Sequence, residues 1–294
     1  MGKKTVVFGS FVVDLMGRTP HLPAAGETVK GTIFKMGPGG KGFNQGVAAH
    51  KAGADVTMVT KLGRDTFADI ALNTMKELGM KQDRILYSDD TETGCALIMV
   101  DENTSQNEIV VILGSCNTIS DAEVDSLEDL LDGCEYMLTQ LETNVSSVER
   151  IVDIACKKGV KVILNTAPVQ PISDELLSKV DLITPNEVEA EILTGVKVDS
   201  EEAADKAAEW FFAKGVKRVL ITLGGRGVYI NTREKKGIIP AYKVDAVDTT
   251  GAGDAFNGGL LAALAEDKDI WEAANFANAL AALSVQKIGT TPAM

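Results

Sequence analysis

Short apolar runs rich in β-branched residues alternate along the chain with segments in which apolar residues recur every three or four positions. TVVFGSF at 5–11 predicts a buried strand, and NQGVAAHKAGA at 44–54 predicts a helix. DVTMVTKLG at 55–63 predicts the next strand and DTFADIALNTMKELG at 65–79 the next helix. The later runs YMLTQLE, KVILNTA, DLITPNE and RVLITLG each follow a helical pattern. Strands separated by helices of roughly 10–15 residues predict βαβ units, hence an α/β fold with a mostly parallel sheet.

Two segments, 15–36 and 93–113, depart from this alternation because their strand-like patterns have no helix between them. The second is typical of a hairpin. We expect both to form a small β-sheet inserted into a single α/β domain that spans 1–294. Such a sheet beside a cleft can act as a lid that excludes water when substrate binds, and the alternative is an edge extension without a role. Because uncovered strand edges invite pairing, we also expect a homodimer through the lid.

The charge and the cysteines narrow the classes of function. A formal net charge of −13 repels nucleic acid and anionic membranes, so neither is an expected partner. The 4 cysteines lie outside any Cys-x-x-Cys pair and are accompanied by only 2 histidines, which favours neither a zinc site nor a disulfide framework. The N-terminus does not resemble a signal peptide, and the sequence has no apolar run of about 18 residues. These features predict a cytoplasmic protein.

The glycine-rich loop MGPGGKGFNQ at 36–45 matches the spacing G-x-G-x-x-G, a weak signal by itself. A dinucleotide site is disfavoured, because no acidic residue ends a strand at about the required 20-residue distance. It is not a phosphate-binding Walker loop either, because glycine rather than Ser or Thr follows Lys41. The glycines let backbone amides approach a ligand closely, and Lys41 and Asn44 add side-chain donors, which suits a polyhydroxylated ligand such as a sugar. The alternative is a simple turn into a helix.

Two further loops allow both a structural and a functional interpretation. TLGGRG at 222–227 fits a hairpin turn or a nucleotide site. In ITPNEVEAE at 183–191, Asn186 caps a predicted helix that carries Glu187 and Glu189, and acidic residues there commonly balance the helix dipole. The functional alternative is a magnesium–phosphate site, since Mg²⁺ is often bound by one or two carboxylates together with substrate phosphates.

The stretch DTTGAGDAFNGG at 248–259 predicts a loop that leads into an apolar helix. Unpaired amides at 251–254 would converge on one point and could stabilise the charge on a transferred phosphoryl group. Asp254 directly follows the Gly-Ala-Gly turn, so its carboxylate could accept a proton from a hydroxyl that attacks the phosphoryl group. A plain helix cap is the alternative.

Taken together and in order, these loops resemble the ribokinase-like sugar kinase family over nearly the whole chain. The segments that carry the resemblance are GSFVVD, GGKGFNQ, TQLE, ITPNE, TLGGRG and DTTGAGDAFNGG. The last is highly specific for the family, and GGKGFNQ is typical of its ribose-phosphorylating members. The resemblance implies a doubly wound, mostly parallel sheet flanked by helices, with a small β-sheet lid. It also implies ATP-dependent phosphorylation of D-ribose at the 5-hydroxyl, with Mg²⁺ and an activating K⁺.

The same resemblance assigns roles to individual residues. Asp254 is implied as the general base, with the amides of Gly251, Ala252 and Gly253 as the anion hole. The implied sugar-site residues are Val12, Asp14, Gly40, Lys41, Asn44, Glu142 and Asp254. The implied ATP and magnesium–phosphate residues are Asn186, Glu189, Thr222, Leu223, Gly224, Gly225, Arg226, Gly227, Gly253 and Asn278. The implied monovalent-cation loop consists of Asp248, Thr250, Ser284, Lys287, Gly289 and Ala293.

Two departures from the family pattern modify these expectations. Many members have Asn where this chain has Val12, and losing that amide predicts a looser preference between ribose and deoxyribose. Members usually continue into another short helix beyond the position of GTTPAM, which leaves the outer wall of the cation loop in question. Two alternatives stay open: a related kinase of deoxyribose, another sugar or a nucleoside, and a non-catalytic sugar or nucleotide sensor.

Overall fold

A computed structural model describes residues 2–104 and 106–294 of the protein, and in it the alternating pattern forms strands and helices. In chain order the strands are β1 (Lys4–Phe8), β2 (Val12–Thr19), β3 (Ile33–Gly39), β4 (Asp55–Val59), β5 (Lys61–Gly63), β6 (Leu86–Ser88), β7 (Thr93–Asp101), β8 (Asn107–Gly114), β9 (Tyr136–Thr139), β10 (Lys161–Leu164), β11 (Leu182–Ile183), β12 (Arg218–Thr222), β13 (Val228–Asn231) and β14 (Lys236–Ile239). The α-helices are α1 (Lys41–Lys51), α2 (Thr66–Leu78), α3 (Asp121–Asp125), α4 (Val145–Lys157), α5 (Asp174–Ser178), α6 (Glu187–Thr194), α7 (Glu201–Ala213), α8 (Ala252–Ala265) and α9 (Ile270–Ser284).

The central sheet contains 8 strands in the order β14-β13-β12-β11-β10-β9-β1-β4. From β4 to β12 all neighbouring pairs are parallel, and β13 and β14 add an antiparallel edge. Because successive residues of a strand point to opposite faces, each strand contributes to two cores. Val7 packs with α1, α2, α8 and α9 on one face, whereas Val6 and Phe8 pack with α4 to α7 on the other. The mostly parallel α/β fold is therefore confirmed.

The two predicted insertions form a separate sheet of 4 strands in the order β3-β2-β7-β8. β7 and β8 make the expected antiparallel hairpin, and β2 joins the two insertions by pairing in parallel with β7. The strand bounds differ from the predicted ones, since β2 begins at Val12 and β3 continues to Gly39. This small sheet, β3-β2-β7-β8, is called the lid sheet below.

Three of the other predicted boundaries also moved. The strand predicted at 5–11 ends at Phe8, and the one predicted at 55–63 ends at Val59 before β5 begins in a two-stranded sheet with β6. The first helix begins at Lys41 rather than at Asn44. Within residues 2–104 and 106–294, no helix combines the length and the apolar character needed to cross a membrane.

Candidate active site

Polar residues collect where the parallel strands of the central sheet end. Glu142 follows β9, Asn165 follows β10, Thr184 follows β11 and Thr222 ends β12. The carboxyl ends of parallel strands share one edge of a sheet, where open α/β sheets bind their ligands. A pocket of about 180 Å³ opens at this edge. Its lining residues are Lys41, Asn165, Ala167, Thr184, Asn186, Glu189, Thr222, Thr249, Gly251, Ala252, Gly253, Asp254 and Asn257.

The N-terminus of α8 provides backbone donors to this pocket. Gly251 precedes the helix with a φ of 78°, a left-handed conformation that favours glycine. The Ala252 amide, one of the three implied for the anion hole, instead donates to the Thr249 carbonyl at 3.2 Å, whereas the amides of Gly253 and Asp254 in the same turn make no hydrogen bond to a described residue. A Cβ on Gly253 would meet open space. The first turn of α8 therefore has the geometry of an anion site, with two amides as its main donors.

Asp254 lies in that same turn and is almost fully buried. Asn44 Nδ2 donates to its Oδ2 at 3.0 Å, and Gln45 Nε2 donates to its Oδ1 at 2.9 Å. Burial raises the pKa of Asp254, and the charge of Lys41 and the two amide bonds offset only part of that rise. A carboxylate with a raised pKa is a stronger proton acceptor, which is what a general base requires.

Lys41 is the first residue of α1 and brings a positive charge to the pocket. Burial lowers the pKa of Lys41, but the carboxylates of Asp254, Glu142 and Glu189 outweigh that effect and raise it overall. The side chain is therefore an ammonium group at neutral pH. It supplies the local cation that an anionic substrate needs in a chain with a net charge of −13.

The predicted sugar contacts Asp14 and Glu142 lie outside the residues that line the pocket, and each is bonded to a protein group. Thr290 Oγ1 donates to Asp14 Oδ2 at 2.9 Å. Burial raises the pKa of Asp14 to about 6, the Thr290 bond opposes the shift, and the charges of Glu142 and Asp254 add to it. Glu142 Oε2 accepts from Ser10 Oγ at 2.5 Å and from the Lys41 amide at 2.8 Å. Glu142 thus caps the helix that carries Lys41.

Gly40 and Val12 meet at the start of the same helix. Gly40 has a φ of 90°, and a Cβ there would lie 2.8 Å from the Val12 nitrogen. Val12 is buried and is two residues from Asp14 in β2, so both side chains point to the same face of the lid sheet. The structure therefore brings together Val12, Asp14, Gly40 and Lys41, four of the residues that the family resemblance implied for a sugar site.

Asn186 and Glu189 form the predicted helix cap and also lie at the pocket. They form a reciprocal cap at the start of α6, in which Asn186 Oδ1 accepts from the Glu189 amide at 2.8 Å and Glu189 Oε2 accepts from the Asn186 amide at 3.0 Å. Thr166 Oγ1 also donates to Glu189, at 2.9 Å. Both side chains nevertheless line the pocket. One carboxylate and one amide oxygen fit a magnesium ion that keeps several water ligands.

The predicted nucleotide loop is a hairpin turn between β12 and β13, and Thr222 is its member that lines the pocket. Thr222 N donates to the Pro185 carbonyl at 2.9 Å, which places the turn beside Asn186. A Cβ on Gly227 would lie 2.0 Å from the Ile239 carbonyl, and Asn278 Nδ2 donates to that carbonyl at 3.3 Å. Gly227 and Asn278 thus meet at the end of β14.

The remaining residues of the turn differ in their surroundings. Leu223 is buried, whereas Gly224, Gly225 and Arg226 are exposed. Arg226 pairs with Glu187 and donates to the carbonyls of Val198 and Asp199. Its guanidinium therefore links the turn to the region of α6 and α7.

The predicted cation loop is assembled from two distant stretches that the Asp248 carboxylate joins. Asp248 accepts from the Thr250 amide at 2.9 Å and from the Gly289 amide at 3.0 Å. Burial raises the pKa of Asp248, but the hydrogen bonds from Gly289 and Thr250, together with the charge of Arg18, outweigh burial and lower it overall. Ser284 Oγ donates to the Ala281 carbonyl inside α9, Lys287 is exposed and Ala293 is buried. The loop thus holds a carboxylate next to the turn that precedes α8.

Several lining residues were missed by the sequence analysis, among them Asn165, Thr184 and Asn257. Thr184 Oγ1 donates to Asn257 Oδ1 at 2.6 Å, and Asn257 Nδ2 donates to the Gly253 carbonyl at 2.8 Å. These bonds tie the end of β11 to the first turn of α8. Polar residues directly after predicted parallel strands were the signal that could have identified Asn165 and Thr184.

Comparison with known proteins gives consistent results over the whole chain. The family model for pfkB family carbohydrate kinases matches residues 3–294. A ribokinase of Haemophilus influenzae is 44% identical over 98% of this chain and 94% of that protein. A deoxyribokinase of Salmonella typhi is 37% identical over 97% of this chain and 93% of its own length. The structure of Arabidopsis thaliana ribokinase complexed with ribose and ATP has a TM-score of 0.91, with 30% identity, and covers 100% of this chain and 96% of that chain.

Proposed function

This chain belongs to the pfkB family of carbohydrate kinases, and we propose that it transfers the γ-phosphoryl group of ATP to the 5-hydroxyl of D-ribose. One observation carries the proposal: the buried carboxylate of Asp254 lies in the same helical turn as the amides that face the pocket, with the Lys41 ammonium nearby. Base, anion site and cation are thus gathered where phosphoryl transfer needs them. The relatives named ribokinase support this choice of sugar.

The proposed reaction assigns one task to each group. The 5-hydroxyl oxygen forms a bond to the γ-phosphorus while the bond from that phosphorus to the bridging oxygen of ADP breaks. Asp254 accepts the hydroxyl proton, and the amides of Gly253 and Asp254 stabilise charge on the phosphoryl oxygens. Lys41 adds a positive charge beside them. The products are ribose 5-phosphate, ADP and a proton.

We propose that Mg²⁺ is held near Asn186 and Glu189, which fit a hydrated ion. When bound, Mg²⁺ would neutralise negative charge on the phosphates of ATP. We also propose that the loop joined by Asp248 holds K⁺, mainly through backbone carbonyls, and keeps the turn before α8 in shape. All 4 cysteines are free thiols, which supports our placement of the enzyme in the cytoplasm.

Deoxyribose is the second candidate substrate, and Val12 favours it. An apolar wall discriminates weakly against the loss of a hydroxyl, whereas an amide bonded to that hydroxyl discriminates strongly. Two relatives named deoxyribokinase are 37% identical to this chain, which supports deoxyribose as a substrate. We therefore propose that the enzyme accepts both pentoses.

We propose that the lid sheet closes over the sugar and that its outer face is covered by a second copy of the chain. Residues paired across neighbouring strands share a face, and the face opposite Asp14 carries a group of exposed apolar side chains. These residues, called the lid stripe below, are Phe34, Met36, Leu97, Val110 and Ile112. A two-fold interface can cover the same stripe on both copies.

A panel of sugars tests the proposed function. ADP release would be measured with Mg-ATP and D-ribose, deoxyribose, fructose or a nucleoside, in potassium and in a large organic cation, and the phosphate would be located by ³¹P NMR. We expect turnover of both pentoses, phosphate on the 5-oxygen and a lower rate without potassium. Binding of sugar without ADP release would identify a sensor and overturn the proposal, and equal rates in both cations would overturn the potassium site.

A further inference from the structure

Gln45 is a buried residue beside the proposed base, Asp254, and the reaction proposed above gives Gln45 no role. It follows Asn44 in α1, and the two consecutive side chains approach Asp254 from the same helix. Asn44 binds one carboxylate oxygen and Gln45 binds the other, at 3.0 and 2.9 Å. The carboxylate is therefore held at both oxygens, which fixes the plane in which it presents its remaining lone pairs.

The orientation of the Gln45 amide follows from its surroundings. An ionised carboxylate only accepts hydrogen bonds, so Nε2 must face Asp254. Nε2 also donates to Asn165 Oδ1 at 3.1 Å, and Oε1 accepts from Gln140 Nε2 at 2.7 Å. Rotating the amide by half a turn would place an oxygen against two acceptors and a donor against another donor. The chain of bonds thus permits a single arrangement of Gln45.

Close packing keeps this chain of amides in place. Gln45 and Gln140 are 0% and 1% exposed. A Cβ on Gly9 would lie 2.0 Å from Gln140 Oε1 and 2.8 Å from the Gly42 Cα, so β1 and α1 approach each other closely around Gln140. Gln45 is not among the residues that line the pocket. Its hydrogen bonds to pocket-lining residues are those to Asp254 and Asn165, and Asp254 is the one of the two that the proposed reaction uses.

We propose that Gln45 is a positioning residue that orients the Asp254 carboxylate toward the sugar hydroxyl and favours its ionised form, with Gln140 as its anchor. The inference rests on the proposed role of Asp254 as the base. Its effect on activity should appear in kcat, because Gln45 binds the base and does not reach the pocket, whereas the KM values for ribose and ATP should change little.

A pH profile separates this role from a merely structural one. The charged groups that act on Asp254 are Lys41 on α1 and Asp14 on β2, and Lys41 in turn faces Glu142 after β9 and Glu189 on α6. None of these groups is changed when Gln45 is replaced. Replacing Gln45 by Met removes one donor to the carboxylate and so raises the pKa of Asp254. Since a base acts only when deprotonated, the acid limb of kcat should move to higher pH.

The experiment compares Gln45→Met with Gln170→Met in otherwise intact enzyme. Gln170 is partly buried, whereas Gln45 is fully buried, and it donates to the backbone carbonyl of Leu141, so Gln170→Met makes the same chemical change away from the base. We expect Gln45→Met to lower kcat at pH 7 by about tenfold or more and to move the acid limb upward, with the KM for ribose nearly unchanged. Gln170→Met should keep the wild-type profile.

The inference is overturned if Gln45→Met keeps the wild-type kcat and acid limb, or if Gln170→Met changes them equally. Should Gln45→Met fail to fold, Gln45→Glu decides, because it keeps the side-chain shape and adds a carboxylate beside Asp254. It must move the acid limb upward for the inference to stand. Wild-type enzyme that phosphorylates no sugar would instead contradict the proposed function itself.

Discussion

At the scale of single residues, our proposal makes the choice between ribose and deoxyribose depend on Val12. It is buried in β2, two residues from Asp14 and on the same face of the lid sheet. An apolar side chain there offers no hydrogen bond to a sugar hydroxyl. We therefore expect the wall that it forms to tolerate the loss of that hydroxyl and to discriminate weakly between ribose and deoxyribose.

Replacing Val12 by Asn should restore discrimination. The amide would bond a ribose hydroxyl and would lack a partner when deoxyribose is bound. We expect the ratio of kcat/KM for ribose over deoxyribose to rise by about tenfold or more, with steady-state kinetics on both sugars as the measurement. A wild-type preference for ribose that already approaches about 10⁴-fold would contradict our interpretation of Val12.

The positions of single residues were predictable from the sequence where a motif contains them and not where distant side chains meet. DTTGAGD placed Asp254 after a glycine turn, and the structure places that residue in the first turn of α8. Gln45 and Gln140 lie 95 positions apart, and their hydrogen bond depends on the packing of Gly9 against Gly42. No local pattern in the sequence contains that information.

At the scale of secondary-structure elements, the start of α1 shows how a distant residue shifts the boundary of a helix. The helix begins at Lys41, three residues before the predicted start, because its N-terminus is capped from outside. Glu142 lies 101 positions away and accepts the Lys41 amide. A cap supplied by another part of the chain leaves no local signal, so the periodic pattern alone placed the start too late.

The strands likewise combine features that are set by the local sequence with features that are set by distant parts of the chain. The order of strands and helices was predictable because apolar periodicity is local. The apolar run at 55–63 was predicted as a single strand, yet its last three residues pair with β6 in another sheet. Which partner a strand meets is decided by the topology of the whole chain. That is why the existence of the elements was predicted more reliably than their ends.

At the scale of the whole molecule, the lid stripe is the exposed apolar surface that the proposed dimer would cover. Its members are between 46% and 69% exposed, although they are large apolar side chains. They occupy one face of a sheet whose outer strands, β3 and β8, pair with no further strand among residues 2–104 and 106–294. A second copy of the chain can cover the stripe and the edges together.

Replacing Val110 by Asp should therefore separate the two copies. A charge in the middle of the stripe would be desolvated in the dimer without a partner. Sedimentation velocity at micromolar concentration should give a dimer for the wild type and a monomer for Val110→Asp. Val188→Asp is the matched control, because Val188 is a similarly exposed valine on α6. A wild-type monomer, or a Val110→Asp variant that remains dimeric, would contradict the proposed interface.

The account as a whole depends on proton transfer to Asp254. The most direct measurement is kcat with saturating ribose and Mg-ATP for Asp254→Asn, beside Asp69→Asn on the exposed surface of α2 as control. We predict that Asp254→Asn lowers kcat by roughly 10²–10⁴-fold, while Asp69→Asn matches the wild type. A folded Asp254→Asn enzyme that keeps kcat within a few-fold of the wild type would contradict the account.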